Sequence, residues 1–565
     1  MKHDILRTCI DPSGVFICAL HQPSYEVVNL RQTDTLAVLG HDPDGNAINN
    51  QANFPRGDLV INNAGKVYEI PNAFPFWGAT YILYDQAEQF SKDPERFRFR
   101  RCDEESDKSS QLLKDLLNGC LRGSNEKAYS LKDLSKSVLL SLAQTSRDSE
   151  LLKSIAHLAC KFELDGNRDP VGMKYEYDKL GRPKPALFDQ ELFEVLGNNI
   201  ACPDNYKLAM VLIPGIQGTS PIVGEYTSGH QTHIWEYLRA DSYIPWGHYA
   251  SNMAHDCARY GAAELLPEDV TGLRHLYYQR IYTQMALNLN ITQGIPRKDK
   301  NTLSAPELES LRQAVVEEVA NRLEKGKELP YTATLWGWNY GFDFTLSGYR
   351  LHASHQQIHQ QFALIPPNVK SIDMEGTGSK SIPTYAVGDQ VAHFTTLYER
   401  TYDKPFFKTY LKAVRSNKRL DKKEDLASSL IVYEDENVMV HIPKAQRSQG
   451  EVQIMTTCPV GNVLEAGPEV RNSLDHCIRI VIRTLDRMGA QMVTAYEISK
   501  RFNNPDIDQR LFYCFLPRLP GSPGAFSERQ ERWITGHYPE DYAEAFRKAM
   551  KSAQPDWVIG NRFRG

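Results

Sequence analysis

No Cys-x-x-Cys pair occurs anywhere in this chain, although it holds ten cysteines. That excludes a zinc ribbon and a dithiol redox centre, and it suits a reduced compartment. Cys9, Cys18 and His21 are loosely spaced ligand types and are read as ordinary core or surface residues. No apolar run approaches the ~18 residues that cross a bilayer, so no membrane partner is expected. The opening Met1-Lys2-His3-Asp4 is polar and lacks a secretory apolar core, which makes a cytoplasmic location the expectation. Charge of one sign is also scarce: the net charge is −5 and the sequence pI about 6.4. With no strongly basic stretch, nucleic-acid binding through phosphate contacts is not expected. What remains is a soluble globular composition, 41% hydrophobic and 24% charged, over 565 residues, enough for several domains.

The most informative stretch is Gly348-Tyr349-Arg350-Leu351-His352-Ala353-Ser354-His355-Gln356-Gln357-Ile358-His359-Gln360-Gln361, running on to Pro366-Pro367. Read as a strand, it puts His355, Gln357, His359 and Gln361 on one face, a polar row suited to lining a site. Read as a helix, it puts His352, His355 and His359 on one side, where they suggest a metal site. A polar surface helix with incidental histidines is the third reading, and periodicity alone leaves all three open.

Gly348…His355-x-Gln357 resembles the active-site strand of the galactose-1-phosphate uridylyltransferase branch of the histidine-triad superfamily. That branch includes diadenosine tetraphosphate phosphorylase, ADP-glucose phosphorylase and adenylylsulfate:phosphate adenylyltransferase. The resemblance implies that His355 is a nucleophile with Gln357 beside it. The first histidine of the family's His-x-His-x-Gln element is Ala353 here, so the resemblance gives no support for the structural zinc that this histidine helps to hold, and the metal content is left open. In a shifted register the pair is His359-x-Gln361. The resemblance extends to Asn72-Ala73-Phe74-Pro75, similar to the element that packs against the nucleoside, to Asn339 upstream of Gly348, and to Arg350, placed where relatives have a small hydroxyl residue near the phosphates. On the residues alone, Asn72 to Pro75 is a turn with a buried Phe and Arg350 a strand-edge cation in solvent. An Arg facing substrate would grip an anion bidentately.

Around this stretch, Leu59-Val60-Ile61, the turn Asn62 to Gly65, Val67 to Pro71 and Thr80 to Tyr84 read as strands with a hairpin-like turn. Residues 86–330 read as mostly helical. Leu112 to Leu121, Leu131 to Leu142 and Leu151 to Leu158 each give an apolar face, and Ser304-Ala305-Pro306-Glu307 is a capping box. Gly215 to Pro221 is a glycine-rich loop without the Lys-Ser/Thr ending of a P-loop. His230, His233, His248 and His255 are read as isolated histidines rather than a metal cluster. Glu69 to Leu83 lies over His441 to Met455 without a gap, sharing Ile, Pro, Ala, Gly and Ile, and Leu511 to Pro517 takes the place of the catalytic strand. A helix is expected over Val470 to Met488 and another over Pro539 to Met550.

The resulting expectation is an α+β fold of two histidine-triad-like halves with antiparallel sheets, an internal pseudo-repeat and a large mainly helical insertion. Residues 1–100 form the first part of the N-terminal half, 101–330 the insertion, 331–420 the catalytic strand and linker, and 421–565 a degenerate C-terminal half.

The implied chemistry is nucleotidyl transfer through a covalent nucleotidyl-histidine to phosphate or a phosphorylated acceptor. An imidazole with a pKa near ~6.5 is a good nucleophile toward phosphorus. Glutamine donates a hydrogen bond but no proton, which favours transfer over hydrolysis, while His359 offers acid chemistry on the same face. The candidate residues are thus His355, Gln357 and His359 for catalysis, and Asn72, Phe74, Pro75, Asn339, Gly348 and Arg350 for the nucleotide. The partners are a nucleotide and a phosphate-bearing acceptor, with a homodimer open. The mechanism requires no cofactor. A triad-type hydrolase and a non-catalytic nucleotide-binding scaffold are the alternatives.

Overall fold

The computed structural model describes residues 6–54, 56–94, 97–99, 131–177, 179, 181, 183–197, 199, 201–211, 215–217, 220–226, 234–239, 251–255, 267–292, 294, 302–341, 359–371, 380–490, 492–518 and 525–553. Its centre is one antiparallel sheet of eleven strands. In chain order these are β1 (Gly215–Gln217), β2 (Ser220–Tyr226), β3 (Ile234–Arg239), β4 (Ser251–His255), β5 (Ala333–Gly341), β6 (His359–Ile365), β7 (Ile431–Glu434), β8 (Val438–His441), β9 (Val452–Thr456), β10 (Met492–Ile498) and β11 (Phe512–Pro517). Across the sheet the order is β1-β2-β3-β4-β6-β5-β10-β11-β9-β8-β7.

The mixed helix and sheet content is that of an α+β chain. Two runs of the sheet share one plan. β2, β3 and β4 form a meander, helix α1 (Pro267–Asn288) follows, and β5 and β6 then complete the order β2-β3-β4-β6-β5. β7, β8 and β9, helix α4 (Pro468–Arg487), then β10 and β11 complete β7-β8-β9-β11-β10. The overlay of Glu69 to Leu83 on His441 to Met455 is not this correspondence. Val67–Pro71 and Ala79–Leu83 belong to a separate four-stranded sheet, between Ala19–His21 and Arg532–Thr535. The expected insertion is corrected too: β1 to β4, inside 101–330, are part of the central sheet. Their short runs, rich in Gly and aromatics, lack the apolar alternation that marks a strand in sequence. Leu59–Ile61 is a strand, but it pairs with Tyr25–Val27 instead of closing a hairpin with Val67–Pro71.

Alternation along β5, β6 and β10 separates two faces. Trp336, Trp338, Phe362, Leu364, Ala495 and Tyr513 point to one side and are buried with α1 and α4. Gln360 is also on that side and fully buried. Its Oε1 accepts from Trp336 Nε1 at 2.8 Å and its Nε2 donates to the Leu273 carbonyl at 2.8 Å, which ties β6 to α1. On the other face Met439, Met455, Ile498, Phe512 and Cys514 lie under a second core. That core contains Phe74, Trp77, and residues of α2 (Val387–Tyr402) and α3 (Phe406–Arg415). The capping box at Ser304 forms, with the Ser304 backbone N–H donating to Glu307 Oε2 at 2.8 Å.

Two histidines are buried without charge. Burial pushes His441 down to about 3 and His537 down to about 4. Below the unfolded value near ~6.5 the unfolded chain takes up protons that the folded chain refuses. This stability is therefore complete above ~6.5 and falls with pH by about 1.4 kcal/mol per unit per histidine. In urea titrations, the stability of the native chain relative to His441→Gln is expected to drop by about 2 kcal/mol between pH 7 and pH 5. A constant difference would mean that His441 is protonated in the fold.

Candidate functional site

Among the described residues, the second face of the sheet is covered along only part of its length. Ala333 and Ile365 are sealed by Ala386, which immediately precedes α2. Beyond them Leu335, Gly337, Asn339, Gln361, Thr494, Tyr496 and Leu516 are all partly exposed, whereas their neighbours on the opposite face are buried. A half-open polar strip in the middle of a large sheet is unusual, because central strands normally bury both faces or one apolar face.

Register assembles this strip. Asn339 stands opposite His359 on β6 and opposite Thr494 on β10. One pair further along, Gly337 stands between Gln361 and Tyr496, and Asn252 of β4 stands opposite Gln361. Directly opposed residues of an antiparallel pair share a face, and the partly exposed Asn339 and Gln361 lie in neighbouring register pairs of β5 and β6. The Asn339 Oδ1 is buried and has no hydrogen-bond partner among the described residues. A buried amide oxygen left unpaired costs about 1–3 kcal/mol, a cost that a ligand contact at this point removes. Gly337 adds clearance: a Cβ there would meet nothing nearer than the Ala495 carbonyl at 3.6 Å.

One border of the strip is charged. Tyr496 accepts a hydrogen bond from Arg447, whose guanidinium lies 3.8 Å over the Trp77 ring and pairs with Glu451. Burial pushes the Tyr496 phenol well above its ordinary range, so it stays protonated. At the sealed end, the turn at Pro75 and the outer side of α2 border a shallow, open pocket of about 620 Å³, lined by Leu6, Arg7, Pro75, Phe76, Tyr385, His393 and Phe394 among others. Its size and mainly apolar walls are those of a small-molecule site.

The sequence candidates are distributed unevenly over this geometry. Gly348, Arg350, His355 and Gln357 lie outside the described residues, as do His352 and the loop histidines His230, His233 and His248. His359 and Gln361, the pair of the shifted register, are on β6 beside Asn339. Pro75 lines the cavity. Asn72 and Phe74 are corrected: neither faces a ligand space. Asn72 is 2% exposed, its Nδ2 donates to the Ala445 carbonyl at 3.1 Å, and its Oδ1 accepts from the Phe74 backbone N–H. Phe74 is 1% exposed and stacks on Phe512 with centroids 5.6 Å apart. Phe74→Ala is expected to cost about 3–5 kcal/mol in chemical denaturation while leaving nucleotide affinity unchanged. Lost affinity with unchanged stability would return Phe74 to the site. Sequence reasoning missed Thr494 and Tyr496, whose membership depends on strand partners far away in the chain. Among the described residues no group of three or more His, Cys, Asp or Glu is arranged to hold a metal, and no helix is long and apolar enough to cross a membrane.

No protein-family model matches the chain, and no curated protein matches it. Solved structures do. A GalT-like protein from Arabidopsis thaliana is similar at 10% identity and a TM-score of 0.35, covering 56% of this chain and 83% of its own. An ADP-glucose phosphorylase from Arabidopsis thaliana, with bound ADP-glucose, is similar at 10% identity and a TM-score of 0.35, covering 56% and 81%. A uridylyltransferase is similar at 11% identity and a TM-score of 0.33, covering 60% and 85%. Likeness at this distance assigns neither activity nor substrate to this chain.

Proposed function

We propose that the chain is a nucleotidyltransferase or nucleotide phosphorylase that works through a nucleotidyl-histidine. The observation that carries this reading is the register that sets His359 opposite Asn339, one pair from Gly337 and Gln361, on a partly exposed stretch of the sheet. His359 is the preferred nucleophile, in place of His355, because its position in β6 is opposite Asn339, a residue type that donates to phosphoryl oxygens. Its ring nitrogen attacks the α-phosphorus of a nucleotide, a P–N bond forms, and the P–O bond to the leaving phosphate or phosphosugar breaks. An oxygen of a phosphate-bearing acceptor then attacks the same phosphorus, breaks the P–N bond and frees the imidazole. Gln361 Nε2 and Asn339 Nδ2 donate to phosphoryl oxygens in hydrogen bonds that tighten as charge accumulates on them, while Asn339 Oδ1 is left to accept from a hydroxyl or N–H of the ligand. Neither amide is an acid, so the leaving group departs as an anion or takes its proton from elsewhere, which favours phosphate chemistry over hydrolysis.

Gly337 leaves room for the phosphate chain. Gly337→Val fits a strand without strain and fills that room. It is expected to raise the nucleotide Kd at least about tenfold, roughly 1.4 kcal/mol, with an unchanged unfolding midpoint. Unchanged affinity in a folded Gly337→Val protein would place the phosphates elsewhere. The overall reading is tested by incubation with α-labelled nucleotides, with and without phosphate. Acid-labile label on the protein, discharged by phosphate, is expected. Release of monophosphate without an acceptor would make the protein a hydrolase, and no turnover and no label would make it a binding scaffold.

A further inference from the structure

The first sixty residues carry a surface that the fold leaves uncovered. Among the described residues, Tyr25–Val27 pairs only with Leu59–Ile61, and Val38–His41 only with Ala47–Asn49. None of these four strands contains a buried residue. Two-stranded ribbons of this kind have no core of their own and are marginal in water. They are nevertheless rich in apolar side chains. Of the twenty-seven exposed large hydrophobic residues among the described ones, thirteen fall between Val15 and Val60, with Leu30 at 86%, Leu39 at 67% and Val38 at 63% exposed. Such a set presents on the order of 1,000 Å² of apolar surface, against the ~800 Å² per partner of a standard interface.

Charge indicates what covers it. This arm, residues 15–61, has five carboxylates (Glu26, Asp34, Asp42, Asp44 and Asp58) against two arginines, Arg31 and Arg56. Its root lies against α3: the Gly14 backbone abuts the Lys412 side chain, and Ser416 Oγ donates to the Gly14 carbonyl at 3.3 Å. The outward face of α3 and its flanks carry an excess of positive charge. Lys404, Lys408, Lys412, Lys418 and Lys422 are exposed and make no ion pair with any described residue, against the exposed Asp403, Glu424 and Asp425 of the same stretch, in a chain whose net charge is −5. An acidic apolar arm and a lysine face side by side on one surface are the two halves of a self-complementary patch. A single two-fold axis brings each arm onto the other copy's lysines, because an isologous interface uses every contact twice.

We propose that the chain forms a two-fold homodimer in which residues 15–61 of one copy lie across the lysine face of α3 in the second copy. Sedimentation and light scattering of the full chain at tens of micromolar are expected to give twice the 64.2 kDa chain mass. Val38→Asp with Leu39→Asp, at exposed positions, is expected to weaken the dimer by at least about tenfold with unchanged circular dichroism. Lys408→Glu with Lys412→Glu is expected to do the same, and adding Glu26→Lys with Asp44→Lys to restore it. Zero-length cross-linking in a mixture of isotopically heavy and light chains is expected to join arm carboxylates to α3 lysines of unlike isotope. A monomer at these concentrations, a dimer indifferent to both pairs of substitutions, or arm-to-α3 links only within one chain would overturn the proposal.

Discussion

His359→Ala is expected to abolish formation of the labelled protein and to lower turnover by on the order of 10⁴-fold or more, since no second nucleophile takes over the covalent step. The folded state should be unaffected, because His359 is the first residue of its strand and the side chains that anchor β6 are the buried Gln360, Phe362 and Leu364. Asn339→Ala is expected to lower turnover less, by roughly 10²- to 10³-fold, the usual cost of one donor to a developing oxyanion. The comparison that decides the register is His355→Ala. If His359 is the nucleophile, His355→Ala still becomes labelled. If label disappears with His355 and persists without His359, the nucleophile is the histidine seven residues after Gly348, as the family spacing implies. Gln361→His adds a group that can protonate a leaving oxygen or activate water. Its expected signature is a gain in release of monophosphate without acceptor.

Arg274→Met is expected to cost about 3–5 kcal/mol of stability, read as a lower denaturant midpoint. Arg274 is completely buried between α1, α4 and the sheet. Its Nε donates to Asp475 at 2.8 Å, and its Nη2 donates to the hydroxyls of Tyr278 and Tyr513, each at 2.8 Å. The guanidinium also lies 4.7 Å from the Trp336 ring centre. Behind it Glu497 accepts from Tyr277 at 3.0 Å, Tyr513 at 2.5 Å and Thr334 at 3.0 Å. Burial pushes both Asp475 and Glu497 above the usual carboxylate range, and Arg274 opposes that shift in each. Removing the cation leaves two acids without it in a low-dielectric core, so they become protonated or the packing gives way. The loss should therefore be larger at pH 8 than at pH 5, because at lower pH the stranded carboxyls are neutral. The double variant Arg274→Met with Glu497→Gln is expected to recover part of the loss, and a purely steric role for Arg274 predicts no recovery. Because Glu497 adjoins Tyr496 on β10, this network also holds the strand that borders the proposed site.

Much of this was legible locally. Leu474, Cys477, Ile478, Val481, Ile482 and Leu485 recur at helical spacing and form the buried face of α4. Ser304 and Glu307 close the capping box that their spacing announces. The strand reading of the segment after His359 holds in β6. Other readings depended on distance along the chain. Asn72-Ala73-Phe74-Pro75 has residue types that suit a nucleoside, yet the same types suit a tight turn, and only the arrival of Phe512 and Ala445 decides for the core. The strands Ser220–Tyr226 to Ser251–His255 were hidden because each is completed by a neighbour in the sheet instead of by its own apolar pattern.

Sequence by itself determined the helices, their caps, the two-sided character of the strand after His359, and the kinds of side chain available for phosphoryl chemistry, because these follow from periods of a few residues. Tertiary structure alone decided that Asn339 faces His359, that Gly337 opens the floor between Gln361 and Tyr496, and that Asn72 and Phe74 turn inward. The reason is physical: a strand specifies which of its residues share a side, but its partner and register are set by packing against segments far away in the chain.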